Sequence, residues 1–203
     1  MITVLRPVLV TGALLAALAA CTDDAPPAAG AIGASRAEAG CQPVVTKDFV
    51  TPANGTHHLA DDSPLTWDEA PPAAALHHGF FPETIKNIYQ VTDRPTVSDM
   101  VHMTEHGYNI VWYDETIGGD DAAMDDLAAI ADEYPVGEYL TIAPWTTDDG
   151  PAFPGDGHVA LTHWTGPEDM QGVWEYCGKV SGEVVDAFTS KYTKANSPEP
   201  TAP

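Results

Sequence analysis

The chain has 203 residues, and 30 acidic residues against 8 Lys and Arg give it a formal net charge of −22. This charge repels phosphates, so the composition excludes nucleic acid as a partner, and it raises the local concentration of cations near the surface. The length suffices for one domain with a sizeable core.

The first 21 residues predict a lipoprotein signal peptide. Arg6 supplies a positive start, and residues 8–20 form an Ala- and Leu-rich run that is too short for a membrane span. The run ends in Leu-Ala-Ala-Cys at residues 18–21, which resembles the bacterial lipobox. This resemblance implies lipidation of Cys21, which would anchor the chain to the extracytoplasmic face of the cell membrane. A plain signal peptide with a chance cysteine is the alternative.

Composition divides the rest of the chain into a tether, a domain and a tail. Residues 22–40 are rich in Ala, Pro, Gly and Asp and predict a disordered tether. A single globular domain is expected over residues 41–195, and a frayed, Pro-rich tail over residues 196–203.

Two cysteines, Cys41 and Cys177, remain once Cys21 is lipidated. An isolated pair outside the cytoplasm is typical of a disulfide. Metal binding by one or both is the alternative, which the lack of any CxxC spacing disfavours.

The elements predict an α+β fold. Strands are expected over residues 44–50, 85–91, 108–113, 139–143 and 158–164. Helices are expected over residues 96–106 and 120–133 and from about residue 170 to residue 191. The order indicates a small mixed β-sheet of four to five strands with two to three helices packed on it, after a loop-rich N-terminal half.

The densest group of potential metal ligands is Val-His-Met-Thr-Glu-His-Gly at residues 101–107. On a helix, His102 and His106 share one face with their Cβ atoms about 6 Å apart, which suits two ligands of one ion. On a strand they would lie roughly 13 Å apart, too far for one ion. The capping signals and Gly107 favour a helix. Glu105 is then either a ligand or a partner that orients an imidazole.

Several segments together resemble a bacterial family of secreted or membrane-attached proteins, DUF3105. They include the turn Pro-Ala-Asn-Gly-Thr-His at residues 52–57, Gly-Phe-Phe at 79–81 and His-x-x-Glu-His-Gly at 102–107. Weaker similarity extends the resemblance over about residues 42–200. This family has no known function that could be transferred to the chain. The resemblance implies a shared site that contains His57, His102, Glu105 and His106.

Two imidazoles bind a metal ion with useful affinity only together with a third ligand. His57 is the first candidate, because it follows the Asn-Gly turn that the resemblance also includes. Three histidines suit zinc or copper. His77, His78 and Met103 are further candidate ligands, and the thioether of Met103 would favour Cu(I). The sequence contains no Gly-rich phosphate loop, so no nucleotide cofactor is expected.

The sequence therefore predicts an extracytoplasmic lipoprotein that binds copper or zinc through this histidine cluster and handles the ion at the cell surface. One alternative is a non-catalytic interaction module of the cell envelope, with unidentified protein partners and a structural His/Glu cluster. The other is a metal-dependent hydrolase, because His-x-x-Glu-His is the short form of an inverted zinc-protease motif. The short helix before Gly107 disfavours a protease of this kind.

Overall fold

The computed structural model describes residues 29–202. The predicted signal peptide and Cys21 lie outside these residues. Within the described range, no helix has both the length and the apolar character that a membrane span requires.

The secondary structure comprises seven strands and four α-helices in the described residues. The strands are β1 (Val45–Asp48), β2 (His58–Leu59), β3 (His77–His78), β4 (Asn109–Tyr113), β5 (Leu140–Pro144), β6 (Val159–Thr165) and β7 (Gln171–Cys177). The helices are α1 (Val97–Glu105), α2 (Glu115–Gly118), α3 (Asp121–Glu133) and α4 (Gly182–Lys191).

Five of these strands form a mixed sheet in the order β1-β7-β6-β4-β5. Its neighbours are antiparallel except for β4 and β5, which are parallel and joined through α3. A separate parallel pair, β2 and β3, lies in the loop-rich N-terminal half. The α+β prediction is confirmed, and the structure adds the single-turn α2.

Strands β4 to β7 are buried on both faces of the sheet, whereas the edge strand β1 is exposed. Val111 and Tyr113 of β4 pack in a core that includes α3 and α4, whereas Ile110 and Trp112 pack in a second core that includes α1 and the loops before it. Successive side chains of a strand point to opposite faces, so one strand serves both cores. The second core is the one that positions the candidate site.

Helix α1 has clear sequence signals at both ends. Thr96 is its N-cap and forms a capping box with Asp99, in which each side chain accepts from the other residue's backbone N–H. The helix ends before Gly107, which has φ of 96°. A Cβ atom at Gly107 would lie 2.7 Å from the Cα atom of Lys194, so only glycine fits here.

Two predictions about strands and helices were wrong in detail. Residues 171–177, predicted as the start of the last helix, form β7, since Val173, Trp174 and Tyr176 are β-branched or aromatic and alternate between the two cores. The strand predicted over residues 85–91 is reduced to a single bridge between Ile88 and Ile142.

The described part of the predicted tether, residues 29–40, packs on the domain. A turn of 3-10 helix, Ala29–Ala31, lies against α4, and Ile32 and Ala39 are buried. The backbone N–H of Ala34 donates to the carbonyl of Val180. Small side chains let the two backbones come close, and composition alone does not reveal such contacts.

The predicted tail also contacts the domain. A 3-10 turn, Lys194–Asn196, is followed by Ser197, which is fully buried. The backbone N–H of Glu199 donates to the carbonyl of Glu105 at 3.1 Å. The C-terminal segment therefore reaches the end of α1.

The predicted disulfide between Cys41 and Cys177 is present and closes a loop of 136 residues. It ties the segment before β1 to the end of β7, the strand beside it in the sheet. Such a crosslink stabilises a fold mainly by restricting the unfolded chain.

We expect the double variant Cys41→Ser, Cys177→Ser to lose about 4–5 kcal/mol of unfolding free energy, the loop-closure value for a loop of this length. Urea denaturation of the oxidised parent and the variant measures this loss. Equal midpoints for the two proteins would contradict the prediction.

Candidate metal centre

Three histidines from separate elements converge at the second core. β2 and β3 pair in parallel with His58 opposite His77, which places both rings on one side. His102 comes from α1 and completes a triangle. The ring centroids lie 4.7 Å apart for His58 and His102 and 4.9 Å apart for the other two pairs.

The carboxylate of Glu105 lies among these three rings. Its Oε2 atom is 3.2 Å from Nε2 of His58, 3.1 Å from Nε2 of His77 and 3.9 Å from Nε2 of His102. Ligand atoms of the four residues all lie within 4.8 Å of one another. Glu105 is 2% exposed and His58 is 40% exposed at the side chain, so the group opens to solvent at His58.

Backbone carbonyls orient two of the imidazoles. Nδ1 of His77 donates to the carbonyl of Ala75 and Nδ1 of His102 donates to that of Phe80, each at 2.9 Å. A carbonyl only accepts, so Nδ1 carries the proton, and a neutral ring then has its Nε2 lone pair facing Glu105. Because a carboxylate is also an acceptor, Nε2 of His77, 3.1 Å from Oε2, needs either a second proton or a cation.

The pKa values of His102 and Glu105 favour a neutral imidazole beside an ionised carboxylate. Burial, and then the neighbouring imidazoles, lower the pKa of His102 to about 4 against the opposing effect of the Phe80 carbonyl. Burial would raise the pKa of Glu105, but contacts from His57 and His77 outweigh it and hold that pKa well below its usual range. At neutral pH a neutral imidazole therefore faces a buried anion, an arrangement that fits a metal ion.

His57 holds the other oxygen of this carboxylate. Its Nδ1 contacts Oε1 of Glu105, and its Nε2 lies 3.3 Å from the hydroxyl of Thr51. The ring also packs against Phe49 and Trp164. The turn at residues 52–57 and the run at 101–107 thus meet, but His57 lies beside the carboxylate, and His58 joins the other imidazoles.

His106 lies at the edge of this group. Its ring stacks on Phe81 at 4.5 Å and meets the ring of His102 edge-on at 4.7 Å. Its Nε2 is 3.4 Å from Oε2 of Glu199. Potential ligand atoms of Glu105, His106 and Glu199 form a second group, again within 4.8 Å of one another.

His78 and Met103 are the two remaining candidates from the sequence. His78 faces away from His77, and its Nε2 contacts the carbonyl of Ser63. Met103 is fully buried in the second core.

Sequence reasoning missed His58 as a candidate ligand. The signal was present in the two His-His pairs at residues 57–58 and 77–78, since neighbouring side chains of an extended segment point in opposite directions. One member of each pair can then face a common partner. Sequence alone does not tell which member does so.

His163 is a buried histidine on the other face of the sheet. It lies on β6 next to Trp164, is fully buried, and its ring is 5.8 Å from that of Tyr192. Burial lowers its pKa to about 4, against the smaller effects of the nearby Asn196 side chain and Tyr108 backbone, which raise it. It is neutral in the folded chain at neutral pH.

The family model described as "Protein of unknown function (DUF3105)" matches residues 58–203. The match covers more than half of the chain, so the chain belongs to this family. It spans His58, His77, His102 and Glu105. Searches of curated proteins and of solved structures found no match.

We predict that His163 makes the metal-free protein sensitive to acid. The unfolded chain binds a proton at this residue near pH 6.5 and the folded chain only near pH 4, so stability falls as the pH drops between these values. The contribution is about 2 kcal/mol between pH 7 and pH 5.

Urea denaturation at several pH values checks this prediction with His163→Gln as the comparison. The loss of stability from pH 7 to pH 5 should be smaller in the variant than in the parent. Identical pH dependence in both proteins would show that His163 does not contribute.

Proposed function

We propose that this member of the DUF3105 family is a lipoprotein that binds a divalent transition-metal ion at the extracytoplasmic face of the cell membrane. The ligands are Nε2 of His58, His77 and His102 and the carboxylate of Glu105. One observation carries the proposal: two imidazoles, fixed through Nδ1 by backbone carbonyls, turn their Nε2 atoms towards one buried carboxylate.

The donor atoms fit a metal ion better than they fit a structural cluster held together by hydrogen bonds alone. Without an ion, His77 can donate to Glu105 only as an imidazolium, because its Nδ1 already donates to Ala75. Keeping such a cation in a fully buried position has a large desolvation cost. A metal ion takes the place of that proton, accepts the lone pairs of the neutral rings and neutralises the carboxylate.

The surrounding contacts resemble the support that metal ligands usually have. Imidazole ligands commonly donate their other ring N–H to a backbone carbonyl, which fixes the tautomer and the ring orientation. His77 and His102 both have such a partner. His57, in contact with the second oxygen of Glu105, would orient the carboxylate in the same way.

The ligand types favour zinc or Cu(II). Three imidazoles and one carboxylate match the nitrogen and oxygen donors that both ions accept, and four ligands suit tetrahedral zinc. The case for Cu(I) depended on a thioether, whereas the proposed donor set contains only nitrogen and oxygen atoms. We therefore place zinc first and Cu(II) second.

The role we propose is handling of the ion at the cell surface. The partly exposed His58 gives an ion a direct route to the three buried ligands. The acidic composition concentrates cations near the chain. The lipobox-like residues 18–21 support attachment to the membrane through Cys21.

The proposal predicts which histidine substitutions release zinc. His58→Ala and His102→Ala should each weaken zinc binding more than about 100-fold, since each removes a ligand, whereas His57→Ala should weaken it about 10- to 100-fold through the misoriented carboxylate. His158→Ala is the matched control, because His158 pairs with Asp114 on another part of the surface.

Equilibrium dialysis of protein purified without a histidine tag, followed by elemental analysis, measures these affinities. The parent should hold at least one zinc ion per chain and the control should match it. A parent chain that retains no zinc, or a His58→Ala variant that binds as the parent does, would overturn the proposal. Circular dichroism of each variant verifies the fold.

A further inference from the structure

We infer that the cluster takes a second metal ion, held by His106, Glu199 and a carboxylate oxygen of Glu105. The inference rests on the proposed function, because the second ion shares Glu105 with the first. It also assigns a role to His106, which the first group of ligands leaves out.

The ligand atoms are already close together. Nε2 of His106 lies 3.4 Å from Oε2 of Glu199, and the ligand atoms of Glu105, His106 and Glu199 lie within 4.8 Å of one another. An imidazole and two carboxylates form a donor set that zinc accepts, and water can complete the shell. Two of the three residues are buried.

Contacts outside the pair hold the ring of His106 and the backbone of Glu199 in place. The ring of His106 stacks on Phe81, and the backbone N–H of Glu199 donates to the carbonyl of Glu105. The tail is fixed further by the buried Ser197 and by Pro198, which packs so tightly on Gly166 that no Cβ atom would fit there. The ligands are therefore brought to Glu105 by the fold.

The two groups adjoin through Glu105. The rings of His102, in the first group, and His106, in the second, lie edge to face at 4.7 Å. Paired metal ions in proteins lie about 3.5–4 Å apart. A carboxylate such as Glu105 has an oxygen for each side, and the contact of His57 with Oε1 leaves that oxygen a second lone pair.

Charge makes the second ion the weaker one. One divalent ion already balances the carboxylates of Glu105 and Glu199, so a second ion adds positive charge that only the acidic chain as a whole offsets. A simple pair between His106 and Glu199 would contribute little, since the Glu199 side chain is 50% exposed. The same exposure predicts that the second ion binds more weakly than the first and exchanges directly with solvent.

The number of zinc ions per chain tests the inference. Equilibrium dialysis of the full chain against increasing zinc should reach two ions per chain, the second at higher concentration. Glu199→Gln should keep the first ion and lose the second, with at least about a tenfold rise in the zinc concentration needed for further binding. His106→Gln should do the same. Glu38→Gln, which changes an exposed carboxylate in the segment that packs on α4, should still bind two.

The outcomes separate the two proposals. One zinc ion in the parent, unchanged by Glu199→Gln, overturns the second ion and leaves the first standing. Two ions in both the parent and Glu199→Gln also overturn this inference. No zinc in the parent overturns the proposed function together with the inference. Glu199 is half-exposed, so its variant remains informative if His106→Gln fails to fold.

Discussion

Glu105 is a carboxylate almost wholly removed from water, and four imidazoles contact or face it. A buried anion is costly unless it is paired and hydrogen-bonded. The loop-rich half of the chain supplies that compensation through the turn before β2 and through the β2–β3 pair. Helix α1 supplies Glu105 itself, and the C-terminal segment bonds to its backbone carbonyl. Segments that are distant in sequence are thus fixed around one charge.

Much of the fold could be predicted because its signals are local. The capping residue Thr96 and the stop at Gly107 mark α1, and the apolar spacing of α3 marks its buried face. The errors arose where tertiary contacts determine the local structure. β7 became a strand because Trp174 and Val173 find cores on opposite faces, and residues 29–40 pack because small side chains meet α4.

The segments that form the candidate site could be predicted, but the side chains that supply its ligand atoms were harder to predict. Spacing and helix signals placed His102 and Glu105 near each other, and the turn at residues 52–57 does reach them. The choice between His57 and His58 depends on which way each side chain points, and that is set by the pairing of β2 with β3. A pairing between segments this far apart leaves no signal in the sequence of either short strand.

The central claim is that one metal ion lies between Glu105 and three imidazoles. Anomalous diffraction at the zinc edge, from crystals of the zinc-loaded protein, tests it most directly. The account predicts a peak bonded to Nε2 of His58, His77 and His102 at about 2.0–2.1 Å, with a Glu105 oxygen completing the shell. A peak bonded to His57 in place of His58, or no peak within reach of His77, would contradict it.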